Sequence, residues 1–470
     1  MSAGQSLFPI SLSPVFLLLL FLLLLPAADS IGVNYGTMGD NLPPPAAVAQ
    51  FIKEKTVIDR IKIFDVNPDI LRAFAGTGIL VTVTVPNGEI LPLTDPGYAR
   101  QWVADKIKPF YPATKINIIA VGNEVLHWGT PEMQNNLVAA MRTLYGALIQ
   151  SGINNIKVSS PHSLGIMLRS DPPSMGRFRP GWDVGILAPM LKFLRETKGP
   201  FMVNPYPYFG YSPKNADLAL FRPNRGYVDR FTKRTYGNMF DMLLDAVFMA
   251  MRRLGYADVE IVAAETGWAS AGETYEPKCT VENAASYNGG LMRKYAAGAG
   301  TPLMPRARIE TYIFALFNEN QKPGSTAERN FGLFRPDFSP VYSIGIMKGQ
   351  PVPALPRLRP RPQPRPKPQP RPRPGGTSKF CVPKPNANDG QLQANINYVC
   401  SQGVDCHPIK PGGSCFNPNN VRAHATYVMN AFYQTKGRHD FQCDFSGTAT
   451  IASSIPQGNG TCKYLTAIKA

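Results

Sequence analysis

The 470-residue chain has room for roughly two to four domains at about 100–200 residues each. Apolar residues make up 44% and charged residues 17%, a balance that excludes a wholly disordered chain. The formal net charge of +17 invites a nucleic-acid partner, but it is unevenly placed. Residues 351–374 hold seven basic and no acidic residues, residues 379–470 hold eight basic and four acidic, and the remainder carries a net of only +6. A uniformly basic nucleic-acid binder is therefore not expected.

At the N-terminus, Val15 to Leu25 is an unbroken apolar run followed by Pro26-Ala27-Ala28-Asp29-Ser30. It is too short to span a bilayer, which needs about 20 apolar residues. Small residues at Ala28 and Ser30 fit signal-peptidase cleavage before Ile31. Residues 1–30 are thus predicted to be a signal peptide, and the mature protein to be secreted, extracellular and without a stable membrane anchor. From Ile31 to about Gly349 short β-branched runs alternate with helical periodicity. The strands are expected at Ile31–Tyr35, Ile61–Val66, Leu80–Val85, Ile116–Val121, Ile156–Ser160, Phe201–Asn204, Val259–Ala264 and Thr311–Phe317. Helices are expected over Met133–Ile149, Met239–Leu254 and Ala284–Ala297. Eight strands alternating with helices imply right-handed crossovers and a parallel sheet, best accommodated by a (β/α)8 TIM barrel over 31–349. No Gly-x-Gly-x-x-Gly follows the first strand, which argues against a dinucleotide site.

In such a barrel chemistry collects where strands end. The fourth strand ends Val121-Gly122-Asn123-Glu124-Val125 and the seventh ends Ala264-Glu265-Thr266-Gly267-Trp268. Each puts a carboxylate at the mouth, and two facing carboxylates are the minimum apparatus for glycosidic cleavage. The motifs VGNEV (121–125), VNPYPY (203–208), AETGW (264–268) and FALFNENQKPG (314–324), with IGVNYG (31–36) and ERNFGLF (328–334), resemble the plant glycoside hydrolase family 17 endo-1,3-β-glucanases. The resemblance covers nearly all of 31–347. It implies hydrolysis of 1,3-β-glucan by a retaining mechanism, with Glu124 as acid/base and Glu265 as nucleophile. The five histidines lack metal-ligand spacing and no Cys-x-x-Cys occurs, so no metal or cofactor is expected. Retention requires the carboxyls to lie about 5–5.5 Å apart. Asn123 and Asn204 are expected among the substrate contacts. Tyr35 and Tyr206 are expected to offer a phenol to the nucleophile or a ring to a sugar, and Tyr208, Phe209 and Trp268 to form stacking walls. Glu319 and Lys322 match charged positions of the family's cleft, and a mutual ion pair between them is expected. Ala269 stands where the family usually has Pro. His162 follows the fifth strand and is a cleft candidate, and Cys279 is expected to be a free thiol.

Residues 350–378 read as a Pro/Arg-rich linker, with 11 prolines in the 24 positions of 351–374. Proline at that density favours a polyproline II rod of about 75 Å at ~3.1 Å per residue. Its cations make acidic pectin a candidate partner. Beyond it, Cys381, Cys400, Cys406, Cys415, Cys443 and Cys462 crowd into 379–470, a disulfide framework whose pairing the spacing leaves open. The segment resembles carbohydrate-binding module family 43, which implies a small, mainly helical glucan-binding module. Apolar spacing predicts a helix over Val421–Tyr433, and Tyr398, Tyr427 and Tyr433 are the candidate binding aromatics. Asn459-Gly460-Thr461 is the only glycosylation sequon. The same two carboxylates would also serve a transglycosylase, and a wall-binding protein without activity is the alternative from another class.

Overall fold

Short β-branched strands and amphipathic helices alternate in the first unit and close it into a parallel barrel. The computed structural model describes residues 31–354, 379–401, 404–435, 438, 440–445, 447–454 and 462–466. The expected signal segment, the Pro/Arg tract and the Asn459 sequon lie outside them. The chain forms two compact units.

The barrel strands are β1 (Ile31–Tyr35), β2 (Ile58–Ile63), β3 (Leu80–Val85), β4 (Lys115–Val121), β5 (Lys157–Ser159), β6 (Pro161–Ser163), β7 (Phe201–Asn204), β8 (Ile261–Thr266) and β9 (Thr311–Ile313). Their order around the sheet is β5-β4-β3-β2-β1-β9-β8-β7-β6, with every neighbour parallel. The single fifth strand expected from the sequence is two pieces. Lys157–Ser159 pairs with β4, Pro161–Ser163 pairs with β7, and the chain steps across the seam at Ser160. Pro161 has no amide to give to a continuous ladder. The two edge strands are consecutive in the chain, so backbone continuity completes the near-closed barrel.

Helix starts follow their caps. Thr130, Asn238 and Thr280 each accept from the amide three residues on, opening α1 (Pro131–Gln150), α2 (Met239–Arg253) and α3 (Val281–Ala296). Two of these begin two or three residues before the apolar periodicity does, because the cap and the first turn carry no apolar stripe. Strand β2 starts earlier than expected, where Ile58 pairs with Ile31, and ends earlier because Asn67 soon caps a helix, accepting from Asp69 N and Ile70 N. The eighth barrel strand is also shorter than expected. After Ile313 the chain leaves the ladder and bonds instead to the returning Phe331–Phe334 segment, with Ala315 N donating to Phe331 O and Leu333 N to Ala315 O. A large apolar layer packs the strands against the helices. Ile118, Met202, Val262, Ala264 and Tyr312 form a separate cluster that fills the barrel interior.

The second unit joins helices α4 (Asp389–Ser401) and α5 (Val421–Thr435) to an antiparallel pair, β10 (Phe380–Pro383) and β11 (Ala449–Ala452). Disulfides link Cys381–Cys443, Cys400–Cys406 and Cys415–Cys462. Tyr433, expected at the surface, is fully buried beside Leu392, Val399 and Met429. It lies four residues from Met429 and eight from Ala425 on one helix face, so the helical period turns it inward. Tyr398 is 51% exposed. Among the described residues no helix is long and apolar enough to cross a membrane.

So small a core relies on its cross-links. Loop-closure entropy predicts that opening the 62-residue Cys381–Cys443 loop costs about 4 kcal/mol, against about 2 kcal/mol for the six-residue Cys400–Cys406 loop. Paired Cys→Ala variants compared by thermal melting should therefore rank in that order; the reverse ranking would contradict it.

Candidate active site

Strand β2 carries a ladder of inward side chains at every second residue, as a strand must. Arg60 forms an ion pair with Glu310. Lys62, two residues nearer the mouth, is fully buried. Phe64, two further, lines an open cleft of about 880 Å³ at the carboxyl ends of the strands. A lone buried ammonium would be prohibitively destabilising, so Lys62 must have partners. Its Nζ donates to Glu265 Oε1 at 3.0 Å and to Asn123 Oδ1 at 3.5 Å, and lies 3.9 Å from the centroid of the Phe64 ring.

Strict alternation along β8 would point Glu265 away from the barrel interior, because Val262 and Ala264 already face inward. The ladder with β9 breaks register between Ala263 and Thr266. Such a bulge re-aims a side chain. Here it turns Glu265 into the cleft and sends Thr266 outward, where its hydroxyl bonds Pro205 O at 2.6 Å and contacts Tyr287 of α3. Tyr206 OH donates to Glu265 Oε2 at 3.4 Å. Burial raises the Tyr206 hydroxyl well above its ordinary range, so it stays a protonated donor.

Glu124 is held by an unusual turn after β4. Gly122 has φ +69°, and a Cβ there would come within 2.4 Å of Val125 Cγ2. Glu124 itself adopts the left-handed conformation at φ 50°, ψ 39°, a strain of about 1–2 kcal/mol for a residue with a side chain. Asn87, from the loop after β3, clasps the turn by accepting from Asn123 N at 2.7 Å and donating to Asn123 O at 3.1 Å. Glu124 N donates to Pro161 O at 3.0 Å, tying the turn to β6. The Glu124 carboxylate accepts from Asn204 Nδ2 at 2.8 Å and Trp128 Nε1 at 3.1 Å. Burial, and then the charge of Glu265, raise its pKa above the usual carboxylate range; the two donors pull against that shift.

Glu124, Glu265, Asn123, Asn204, Tyr206, Glu319 and Lys322 all line this one cleft. Five other expectations are corrected. Trp268 is fully buried, with its Nε1 donating to Lys278 O at 2.8 Å and its ring packed on Tyr208, Tyr211 and Tyr287. Tyr208 is buried too, its hydroxyl against the Cys279 thiol at 3.1 Å, so both rings support the wall from behind. Tyr35 is buried edge-on to Phe317 outside the cleft lining, and burial pushes its hydroxyl up to about 12. Lys322 pairs with Glu328 at 3.2 Å rather than with Glu319, whose Oε1 accepts from Met38 N at 2.8 Å. Gly36 allows that approach, since a Cβ would fall 2.3 Å from the Glu319 carboxylate. His162 is buried behind the cleft, against Met190 Sδ at 3.2 Å, and desolvation lowers its pKa to about 3. Cys279 is a buried free thiol.

Two exposed rings line the cleft, Phe209 at 71% and Trp128 at 72%, the latter tilted against His127 with centroids 4.3 Å apart. Trp128 and Lys62 escaped the sequence reading. Lys62 had a signal: Arg60 and Lys62 alternate with Ile61 and Ile63, which in a barrel strand puts two cations inside. For Trp128 only its place four residues after Glu124 could have served.

Comparison with known proteins agrees with this geometry. The family described as glycosyl hydrolases family 17 matches residues 31–346, and the X8 domain matches residues 379–450. A Triticum aestivum protein named glucan endo-1,3-beta-glucosidase is 48% identical over 440 residues, covering 93% of this chain and 94% of its own. An Olea europaea protein named glucan endo-1,3-beta-D-glucosidase is 41% identical, covering 96% of this chain and 97% of its own. Among solved structures, CJP38, described as a beta-1,3-glucanase and allergen of Cryptomeria japonica pollen, is 42% identical with a TM-score of 0.63, covering 67% of this chain and 98% of its own. The barrel, its paired carboxylates and a family match spanning well over half of the sequence lead to one conclusion: the chain belongs to the glycosyl hydrolases family 17 and carries an X8 domain C-terminal to the catalytic unit.

Proposed function

We propose that this protein is a secreted endo-hydrolase of 1,3-β-glucan that acts by retaining double displacement, with Glu124 as acid/base and Glu265 as nucleophile. The observation that carries this reading is the unlike setting of two carboxylates in one cleft. Glu265 has a buried ammonium at 3.0 Å, whereas Glu124 has only neutral donors and a raised pKa. A carboxyl that holds its proton more tightly suits the acid, and a charge-compensated carboxylate suits the nucleophile. The names of the Triticum aestivum and Olea europaea relatives support the substrate.

In the first step Glu124 gives its proton to the glycosidic oxygen while Glu265 Oε2 attacks the anomeric carbon. The C–O bond to the leaving sugar breaks and a glycosyl ester forms. Lys62 holds Oε1, leaving Oε2 with the Tyr206 hydroxyl and the cleft. Esterification removes the negative charge that had raised the pKa of Glu124, so Glu124 now acts as base. It takes a proton from water, which attacks the same carbon and releases Glu265. Asn123, tied to Lys62 and lining the cleft, is placed to hydrogen-bond the 2-hydroxyl of a bound sugar. Phe209 and Trp128 supply ring faces for flanking glucose units.

We assign residues 1–30 to a signal peptide, 31–349 to the catalytic barrel, 350–378 to a linker and 379–470 to a glucan-binding module. The three disulfides and the N-terminal apolar run support an extracellular, cell-wall location. A tethered module raises the local concentration of substrate chains without adding a catalytic contact. The seven linker cations favour salt-sensitive adhesion to acidic pectin.

Glu265→Gln should reduce laminarin hydrolysis to background. Azide added to Glu265→Gly with an activated aryl β-glucoside of a 1,3-linked oligomer should yield the α-glycosyl azide; a β-azide, or an active Glu265→Gln, would overturn the assignment. Trp128→Phe removes a donor that favours ionised Glu124. The pKa of Glu124 then rises, the acid form persists to higher pH, and the alkaline limb of kcat/KM moves up; an unmoved or lowered limb would refute the contact. Lys62→Met leaves a carboxylate uncompensated in the barrel and should lower stability by about 3–5 kcal/mol in chemical denaturation. The acid limb of any residual activity should move to higher pH.

A further inference from the structure

Two hairpins rise from the loops that follow β6 and β7, and the first lies along α2, with Arg253 donating to Gly176 O at 2.9 Å and Ser174 O at 3.1 Å. The first pairs Met167–Arg169 with Arg177–Phe178, and the second pairs Tyr227–Val228 with Thr235–Tyr236. They are docked to each other. Tyr227 OH donates to Asp171 Oδ1 at 2.6 Å, and the Asp229 carboxylate accepts from Ser174 N and Ser174 Oγ, both at 2.8 Å. Residues 167–179 and 222–236 together hold eight basic and two acidic residues, a net of +6. That equals the net charge of everything outside residues 351–374 and 379–470.

Neither acid forms an ion pair with these cations among the described residues. Asp171 is engaged by Tyr227, and buried Asp229 spends its lone pairs on Ser174, Phe231 N and Thr232 N. Arg169 and Arg177 face each other across the first hairpin as direct partners, both exposed. Like charges directly opposite destabilise a strand pair. Arg230, Lys233 and Arg234 crowd the exposed turn of the second hairpin beside Phe231, and Lys233 takes the left-handed conformation at φ 57°. None of these five forms an ion pair among the described residues. Among the described residues no ion pair offsets this concentration of positive charge, and an extended polyanion would relieve it. Arg179 ties the patch to the site, its Nε donating at 2.6 Å to the carbonyl of cleft-lining Gly165.

We propose that these docked hairpins form a binding surface for a polyuronate, an acidic polysaccharide with a carboxylate on each sugar, and hold the cleft beside that polymer. Guanidinium forks match carboxylates bidentately, and four of the five cations are arginines. The disulfide-bearing C-terminal unit favours an oxidising compartment, where a polyuronate is a more available polyanion than a nucleic acid. This surface is separate from the linker cations and does not depend on the catalytic reading.

The full-length protein with its seven linker cations changed to Gln serves as the parent, so that only the folded surface is tested. On a polygalacturonate matrix the parent should be retained at low salt and released as ionic strength passes about 0.15 M, where the screening length falls to about 8 Å. Adding Arg169→Gln, Arg177→Gln, Arg230→Gln, Lys233→Gln and Arg234→Gln should abolish retention while hydrolysis of soluble laminarin stays unchanged. The turn triple alone, on exposed positions, should elute at intermediate salt and guards against misfolding of the five-fold variant. Three results overturn the proposal: a parent that flows through, a triple and a five-fold variant retained as well as the parent, or single-stranded DNA displacing the parent better than polygalacturonate at equal charge.

Discussion

A lysine ammonium inside the barrel, 3.0 Å from a carboxylate, is the interaction on which the site depends. Neither group is tolerable there alone, since desolvating a single charge is far more costly than keeping the pair. Lys62 rises on β2 from the interior and Glu265 arrives on β8 by way of a bulge, so barrel closure and ion pairing require each other. Burial of Glu124 comes first in setting its acidity, and the negative charge of Glu265 adds to it. Glu124, strained and desolvated, holds its proton more firmly as a result. The division of labour between two chemically identical side chains thus comes from the desolvation of Glu124 together with an ammonium that only Glu265 has beside it.

The scaffold spends stability to hold this arrangement. Glu124 keeps a left-handed backbone only because Asn87, Pro161 and Gly122 fix the turn from three directions. The seam at Ser160 leaves the barrel joined by covalent continuity, and β6 is then free to anchor the Glu124 turn through Pro161 O. Strain and seam both concentrate at the mouth, whereas the opposite end is knit by the Arg60–Glu310 pair and by the Tyr312 hydroxyl, which contacts Thr82 at 3.0 Å.

Aromatic residues divide into two populations that composition alone does not separate. Trp268, Tyr208 and Tyr287 form a buried stack behind the cleft, with polar tips satisfied by a carbonyl, a thiol and a threonine. Trp128 and Phe209 remain open to solvent over the groove. The first group sets the wall's position and the second presents faces to a ligand. In the C-terminal unit the same distinction holds between buried Tyr433 and half-exposed Tyr398.

Much was legible before any coordinates. Alternation of strand and helix periods, with a carboxylate after each of two apolar runs, determined the barrel class and singled out Glu124 and Glu265, because those signals are local and repeat along the chain. Cysteine density likewise marked a cross-linked C-terminal module, but not which sulfur meets which. The inward turn of Glu265, the outward turn of Thr266 and the burial of Trp268 were decided only in three dimensions. Each depends on a bulge or a packing partner far away in sequence, and a period of two cannot register a single inserted residue. The partner of Lys322 and the role of Lys62 were settled the same way: an ion pair is chosen by which strand ends converge, and closure of the barrel alone brings residue 62 to residue 265.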